Sequence, residues 1–277
     1  MKKILVPIDF SKTAHDAYLY ARKLAEKLEA ELEVVHVYTG SFNTNEPIVL
    51  EPLKGREEVL LDRIQAFCGD LGDTSDEVST QLKVEKKALQ SMNPPNKLIK
   101  LSKETDLIVM GASGEHDLLE KLFGGVSSKV AQKAECPVLL IPKGATYNDP
   151  KRILYASNWE SVQREFIEKV VKFGSNFGSG IDFVHVVEKS EKESFQTLEN
   201  EIFNTLFKDK TPDFSFNLLE TNGESPLKGL SNYATKESSD LIVLVNRQDG
   251  MLENIFGQSM TKEMAVRADF PILVYHM

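Results

Sequence analysis

The chain has 277 residues, enough for one large or two ordinary domains, and its 41% hydrophobic and 27% charged residues give it the composition of a packed protein, not a disordered one. A net charge of −9 argues against a general nucleic-acid binder or an anionic-membrane binder, because both affinities rest on basic charge; a local site for a small anionic ligand stays open. The start, MKKILVPIDFS, breaks its apolar run at Pro7 and Asp9, so a secretion signal is not expected, and no run of about 18 apolar residues predicts a membrane span.

In chain order, Ile4 to Ile8 is apolar and rich in β-branched residues and predicts a strand, which Asp9-Phe10-Ser11 ends. Ala14, Ala17, Tyr18, Ala21, Leu24, Ala25 and Leu28 follow at helical spacing, and Asp9 is of a type that ends a strand or caps such a helix. Leu32 to Tyr38 predicts the second strand. Glu57 to Leu71 has helical periodicity through Val59, Leu60, Ile64 and Phe67. After an acidic turn at Asp73 to Glu77, Val78 to Lys86 alternates as an exposed or edge strand does, and Pro94-Pro95 opens a helix through Leu98, Ile99 and Leu101.

The stretch Asp106 to Lys143 carries the chemistry. Leu107 to Met110 reads as a buried strand, and Gly111-Ala112-Ser113-Gly114 must turn the chain away from it. Gly124-Gly125 then precedes a helix with Val126, Val130, Ala131 and Ala134 on one face, and Pro137 to Ile141 returns as a strand. Exposed backbone N–H groups and the positive end of a helix dipole both favour anions, so this arrangement suits phosphates. The order βαβαβαβαβ implies a mostly parallel sheet with helices on both faces.

From Lys151 the pattern repeats. Adding 149 turns Ile4-Leu5 into Ile153-Leu154 and Val35-His36-Val37 into Val184-His185-Val186. Adding 134 turns Asp106-Leu107-Ile108-Val109 into Asp240-Leu241-Ile242-Val243 and Pro137 into Pro271, so the second copy is about fifteen residues shorter in its middle. Phe166, Val170, Phe173 and Phe177 give the second copy its own apolar helix face, and Gly144 to Pro150 reads as a linker. The glycines do not repeat: Gly111, Gly114 and Gly124 become Val245, Gln248 and Gln258. A β-branched valine at the first turn blocks close approach of a phosphate to the backbone, so the halves are expected to share a fold without sharing a site.

These residues resemble the universal stress protein family in tandem form. Gly111, Gly114 and Gly124 follow the family spacing of glycine, two residues, glycine, nine residues, glycine, and the flanks PIDFS, VHV and CPVLLIP stand in family order. The resemblance implies two adenine nucleotide alpha hydrolase-like α/β domains, 1–143 with the nucleotide motif and 151–277 degenerate. Each would hold a five-stranded parallel sheet in the order 3-2-1-4-5, and the two would pair about a pseudo-two-fold axis through their last strands. Part of the family binds ATP. The resemblance then places adenine against Pro7, Asp9 and Val37, and the phosphates against Gly111 and its neighbour Met110, Gly114, Gly124 and the helix start, with Ser127 at a hydroxyl position. One residue departs from the pattern: Gly125 stands where the family has serine or threonine. That change keeps the backbone donor but loses a hydroxyl bond to a charged group, about 1.5–3 kcal/mol or roughly ten- to a hundred-fold in affinity. Ser127 or Ser128 is the available replacement.

The leading expectation is therefore a cytoplasmic stress-related regulatory protein whose first domain binds ATP or another adenine nucleotide, with Mg2+ or Mn2+ as an available bridge across the acidic loop around Glu115 and Asp117. A slow ATPase is an alternative, without a GxxxxGK[ST] loop to support fast phosphoryl transfer. A scaffold acting through an unknown protein partner is another, and free sheet edges are compatible with a homo-oligomer. His36 and His185 sit among apolar strand residues with no ligand spacing around them, which favours packing roles over metal binding; His116 is the histidine nearest the phosphate motif. Asn158, at the second copy's equivalent of Asp9, and the pair Ser259 and Thr261 read as caps. Cys68 and Cys136 form no CxxC pair, which fits a reducing cytoplasm.

Overall fold

A computed structural model describes residues 1–39, 53–69, 82–112, 125–156, 164–187, 214–223, 226–246 and 270–276. They divide into two compact units, the first ending at Tyr147 and the second beginning at Asn148.

The first unit contains β1 (Lys3–Pro7), α1 (Lys12–Leu28), β2 (Glu31–Tyr38), α2 (Leu53–Gly69), β3 (Val84–Gln90), α3 (Pro94–Leu101), β4 (Leu107–Gly111), α4 (Val126–Lys133) and β5 (Val138–Ile141). Its strands lie in the order β3-β2-β1-β4-β5, and every neighbouring pair is parallel. Ile4, Leu5 and Val6 are 0% exposed, as are Leu107, Ile108 and Val109. Successive strand residues point to opposite faces, so runs with no exposed member require cover on both sides. α1 supplies part of that cover through Ala14, Ala17, Ala21 and Ala25, whose small side chains let the helix lie close to the sheet.

The start of α1 corrects one expectation. Its cap is Ser11, whose hydroxyl accepts the Ala14 N–H at 3.1 Å; Asp9 instead accepts the Ser11 N–H at 2.9 Å and so shapes the turn before the helix. Asn93 caps α3 in the same way, accepting from the Asn96 N–H, with Pro94 in the first turn.

The third strand is also displaced. Alternation placed it at Val78–Lys86, but β3 runs from Val84 to Gln90, and residues 78–81 lie outside those described. Pairing with the whole of β2, from Leu32 opposite Val84 to Tyr38 opposite Gln90, decides the register. Lys86 and Lys87 are held by Gln65 and by Glu33 and Glu85, so their charge did not mark the end of a strand. α2 covers this edge with a narrow stripe: Ile64 is fully buried, whereas Val59, assigned to the apolar side, is 66% exposed. Val126 at the start of α4 is likewise on the outside, while Val130, Ala131 and Ala134 are buried.

The second unit contains β6 (Arg152–Ala156), α5 (Arg164–Ser175), β7 (Gly180–Val187), β8 (Phe216–Asn222), α6 (Pro226–Glu237), β9 (Leu241–Asn246) and β10 (Ile272–His276). Its order is β8-β7-β6-β9-β10, again all parallel. Phe166, Val170, Phe173 and Phe177 fill its core.

The duplication extends to individual bonds. Ile4 lies opposite Leu32 and Leu107, and Ile153 lies opposite Ile181 and Leu241, the pairs that the two offsets require. Asp106 accepts the N–H groups of Lys2 and Lys3 at 2.6 and 2.9 Å, and Asp240 those of Lys151 and Arg152 at 2.8 Å each. A buried acid recurs on the second strand as well. Glu33 lies 2.5 Å from the Lys3 ammonium and 3.2 Å from that of Lys87, and Asp182 accepts from Asn217 at 2.7 Å and Tyr233 at 3.2 Å beside Arg152. Lys3 and Arg152 are themselves equivalent, so both copies neutralise the same strand position.

Candidate functional site

The carboxyl ends of β1, β2 and β4 open into a cleft of about 330 Å³ in the first unit. This is the point where chain order reverses across the sheet, since β1 is flanked by β2 on one side and β4 on the other. Open parallel sheets bind ligands there, because the chains leaving adjacent strands diverge to opposite faces. The volume lies in the range of small-molecule sites.

Six of the residues singled out from the sequence line this cleft: Pro7, Asp9, Val37, Met110, Gly111 and Ser127. Gly114 and Gly124 lie outside the described residues. Gly125 is the residue before α4; its φ of −109° is open to any residue type, and it provides no side-chain cap. Ser128 is 1% exposed within α4 and is not part of the lining. His116, Asn158, Ser259 and Thr261 also lie outside the described residues.

Gly111 has a packing role that the sequence did not show. A Cβ built on it would stand 2.8 Å from Thr13 Cγ2 and 2.9 Å from the Thr13 carbonyl oxygen. The first turn of α1 thus lies directly on the end of β4, and a glycine is needed there for packing alone. In the second unit Val245 occupies this position as a paired residue of β9.

The turn carrying Asp9 is firmly built. Phe10 adopts φ 65°, a left-handed conformation that costs a non-glycine residue about 1–2 kcal/mol. Its ring lies 4.5 Å from that of His36 and 5.7 Å edge-on from Phe67, with the Arg63 guanidinium 4.1 Å above it. The His36 Nδ1 is 2.8 Å from the Ile8 carbonyl oxygen. His36 is therefore the packed residue expected from its flanks, and it also borders the cleft. Among the described residues no group of three or more His, Cys, Asp or Glu side chains could hold a metal ion.

Sequence reasoning missed Lys12, Thr13, Pro94, Leu98 and Lys143, all of which line the cleft. Lys12 had a local signal, since it directly follows the PIDFS segment. Lys143 had none, because only the parallel pairing of β5 with β4 brings the end of β5 beside Gly111.

The second unit packs differently at the equivalent place. A Cβ on Gly229 of α6 would lie 2.5 Å from Val186 Cγ1, so this helix sits directly on the valine that matches Val37. A groove among the described residues of the second unit is lined by Arg152, Asp182, Asn217 and Tyr233 and, further along β8, by Leu219, Glu220 and Thr221.

The fold and cleft define an open parallel α/β protein with a ligand-sized site at the carboxyl edge of its first sheet. The family model described as "Universal stress protein family" matches residues 1–142, and the chain belongs to that family. The chain is 28% identical over 150 residues to Universal stress protein MJ0531 of Methanocaldococcus jannaschii, covering 51% of this chain and 82% of that protein. It is 30% identical over 149 residues to Universal stress protein YxiE of Bacillus subtilis, covering 50% of this chain and 97% of that protein. Over its whole length the chain resembles the crystal structure of a universal stress protein from Archaeoglobus fulgidus, with TM-score 0.67, 17% identity and coverage of 99% and 96% of the two chains. At that identity the likeness shows the fold. No helix among the described residues is long and apolar enough to cross a membrane.

Proposed function

We propose that the first unit binds an adenine nucleotide, ATP foremost, in the cleft beyond β1, β2 and β4, and that the protein acts in the cytoplasm as a stress-related regulatory binding protein. The observation that carries this reading is the convergence of Pro7, Asp9, Val37, Met110, Gly111 and Ser127 on one cleft from four separated parts of the chain. One Asp9 oxygen is committed to the Ser11 N–H; the other is suited to accept from an exocyclic amine of the base. Pro7, Val37 and Leu98 supply apolar surface for a flat ring. The start of α4, without a side-chain cap, offers backbone donors to phosphate. The second unit is read as a degenerate copy of the same domain with a mainly structural role, consistent with Val245 and the Gly229–Val186 packing.

Calorimetry on the full chain, after removal of co-purified nucleotide, tests the reading. ATP is expected to saturate near one site per chain, and Asp9→Ala to weaken it. No heat and no protection from unfolding at millimolar ATP would overturn it.

A further inference from the structure

We infer that Lys12 and Lys143 read the phosphate tail of the ligand, so that the cleft selects nucleotides by the number of phosphates they carry. The inference rests on the nucleotide reading of the same cleft and goes beyond it to residues outside the glycine motif.

Both lysines line the cleft, as do Gly111 and Ser127. Both are exposed, and neither has a carboxylate partner among the described residues. Asp9 is the one carboxylate in the described lining, so two cations face one anion there on a protein whose net charge is −9. A local reversal of sign in an acidic protein concentrates anions at that place.

Lys12 is the first residue of α1, at the positive end of the helix dipole, and no acidic residue offsets it in the first turn. The helix alone disfavours a cation there, and a bound anion would reverse that sign. α4 also starts without an acidic residue in its first turn and without a side-chain cap. Lys143 follows β5 in a chain segment fixed on both sides. The Ala112 N–H donates to Ile141 at 2.8 Å, and the Gly144 N–H donates to the Asp16 carboxylate at 2.8 Å. One Asp16 oxygen is thereby engaged, and the backbone of Lys143 is held beside Gly111, while its side chain has no ion pair among the described residues.

Two lysines and two helix starts lacking acidic residues thus meet at one cleft. A single phosphate cannot engage both lysines and a helix start as fully as a di- or triphosphate can. Affinity is therefore expected to rise from adenosine through AMP and ADP to ATP, and the rise is expected to shrink as salt is added.

The test is calorimetry with adenosine, AMP, ADP and ATP on the wild-type full chain, Lys12→Met, Lys143→Met and the double variant, each checked for unchanged thermal unfolding. Each substitution should weaken ATP about three- to fivefold, AMP less, and adenosine not at all; Lys143→Arg should retain the wild-type order. Equal losses for adenosine and ATP would assign the lysines a structural role and overturn the inference. Unchanged ATP affinity in the double variant would also overturn it while leaving the nucleotide reading intact. Failure of the wild type to bind any of the four would overturn both.

Discussion

Thr13 and Gly111 touch so closely that a single added carbon on the glycine would fall 2.8 Å from the Thr13 methyl and 2.9 Å from its carbonyl oxygen. The flexible half of that contact is the side chain, and the rigid half is the backbone. Gly111→Ala should therefore destabilise the protein by about 1–3 kcal/mol even without ligand. Adding Thr13→Ser, which removes the methyl but keeps the carbonyl, should recover only part of the loss. Urea unfolding of the two variants and their combination measures this, and a Gly111→Ala cost below about 0.5 kcal/mol would contradict the packing. Loss of nucleotide affinity in a Gly111 variant alone would accordingly say little about phosphate contact.

Phe10 offers a test of backbone strain beside the turn that carries Asp9. Its left-handed φ suits glycine, whereas its ring is held by His36, Phe67 and Arg63. Phe10→Ala loses the ring and keeps the strain; Phe10→Gly loses the ring and relieves it. The glycine variant should be the more stable of the two by about 1 kcal/mol, the reverse of the usual order. Denaturant midpoints compared at equal m-value decide the matter.

Asp106 predicts a pH dependence. Burial works to raise its pKa, but the N–H groups of Lys2 and Lys3, with the charges of the N-terminus and Lys2, outweigh it and hold the carboxyl below its ordinary 3.8. A carboxyl with a depressed folded-state pKa adds stability above its unfolded value, and that stability disappears as pH falls through the folded one. Asp106→Asn should therefore be less stable than wild type at pH 7, by about 1 kcal/mol for the weakened clasp. The difference should shrink as pH falls below the ordinary 3.8 and through the depressed folded-state value. Chemical denaturation at pH 7, 4 and 2.5 is the measurement, and a constant difference across that range would count against the clasp.

The two thiols should differ in reactivity. Burial pushes the Cys136 thiol up to about 12, and the residue is 5% exposed. Burial also raises Cys68, against the Tyr18 hydrogen bond and the Lys86 charge, but Cys68 is only half-buried. The thiolate is the reactive form, so at pH 7.5 a thiol reagent should label Cys68 slowly and first, and Cys136 only on unfolding. Peptide mapping after timed labelling would show the order; early labelling of Cys136 would contradict its burial.

Features that depend on neighbours along the chain were legible in the residues alone. Apolar period marked β1, α1, β2, β4 and β5 to within a residue or two, because burial on one or both faces writes its spacing into the chain. The offsets of 149 and 134 marked the duplication, and paired strands keep those offsets bond by bond. The glycine spacing drew attention to the carboxyl edge of the first sheet, where a cleft lies.

Features that depend on residues far apart in the chain were set by strand pairing and packing. β3 settled at Val84–Gln90 because β2 offered it a full-length partner, a choice that alternation in β3 could not contain. Glu33 is the charged residue within LEVVHVY, and it is 2% exposed because Lys3 and Lys87 reach it from the strands on either side. Ser11 took the cap from Asp9 because the turn through Phe10 spends Asp9 on the Ser11 N–H. Lys12 and Lys143 came to one cleft because β4 lies between β1 and β5, and proximity created by strand order leaves no mark on local sequence.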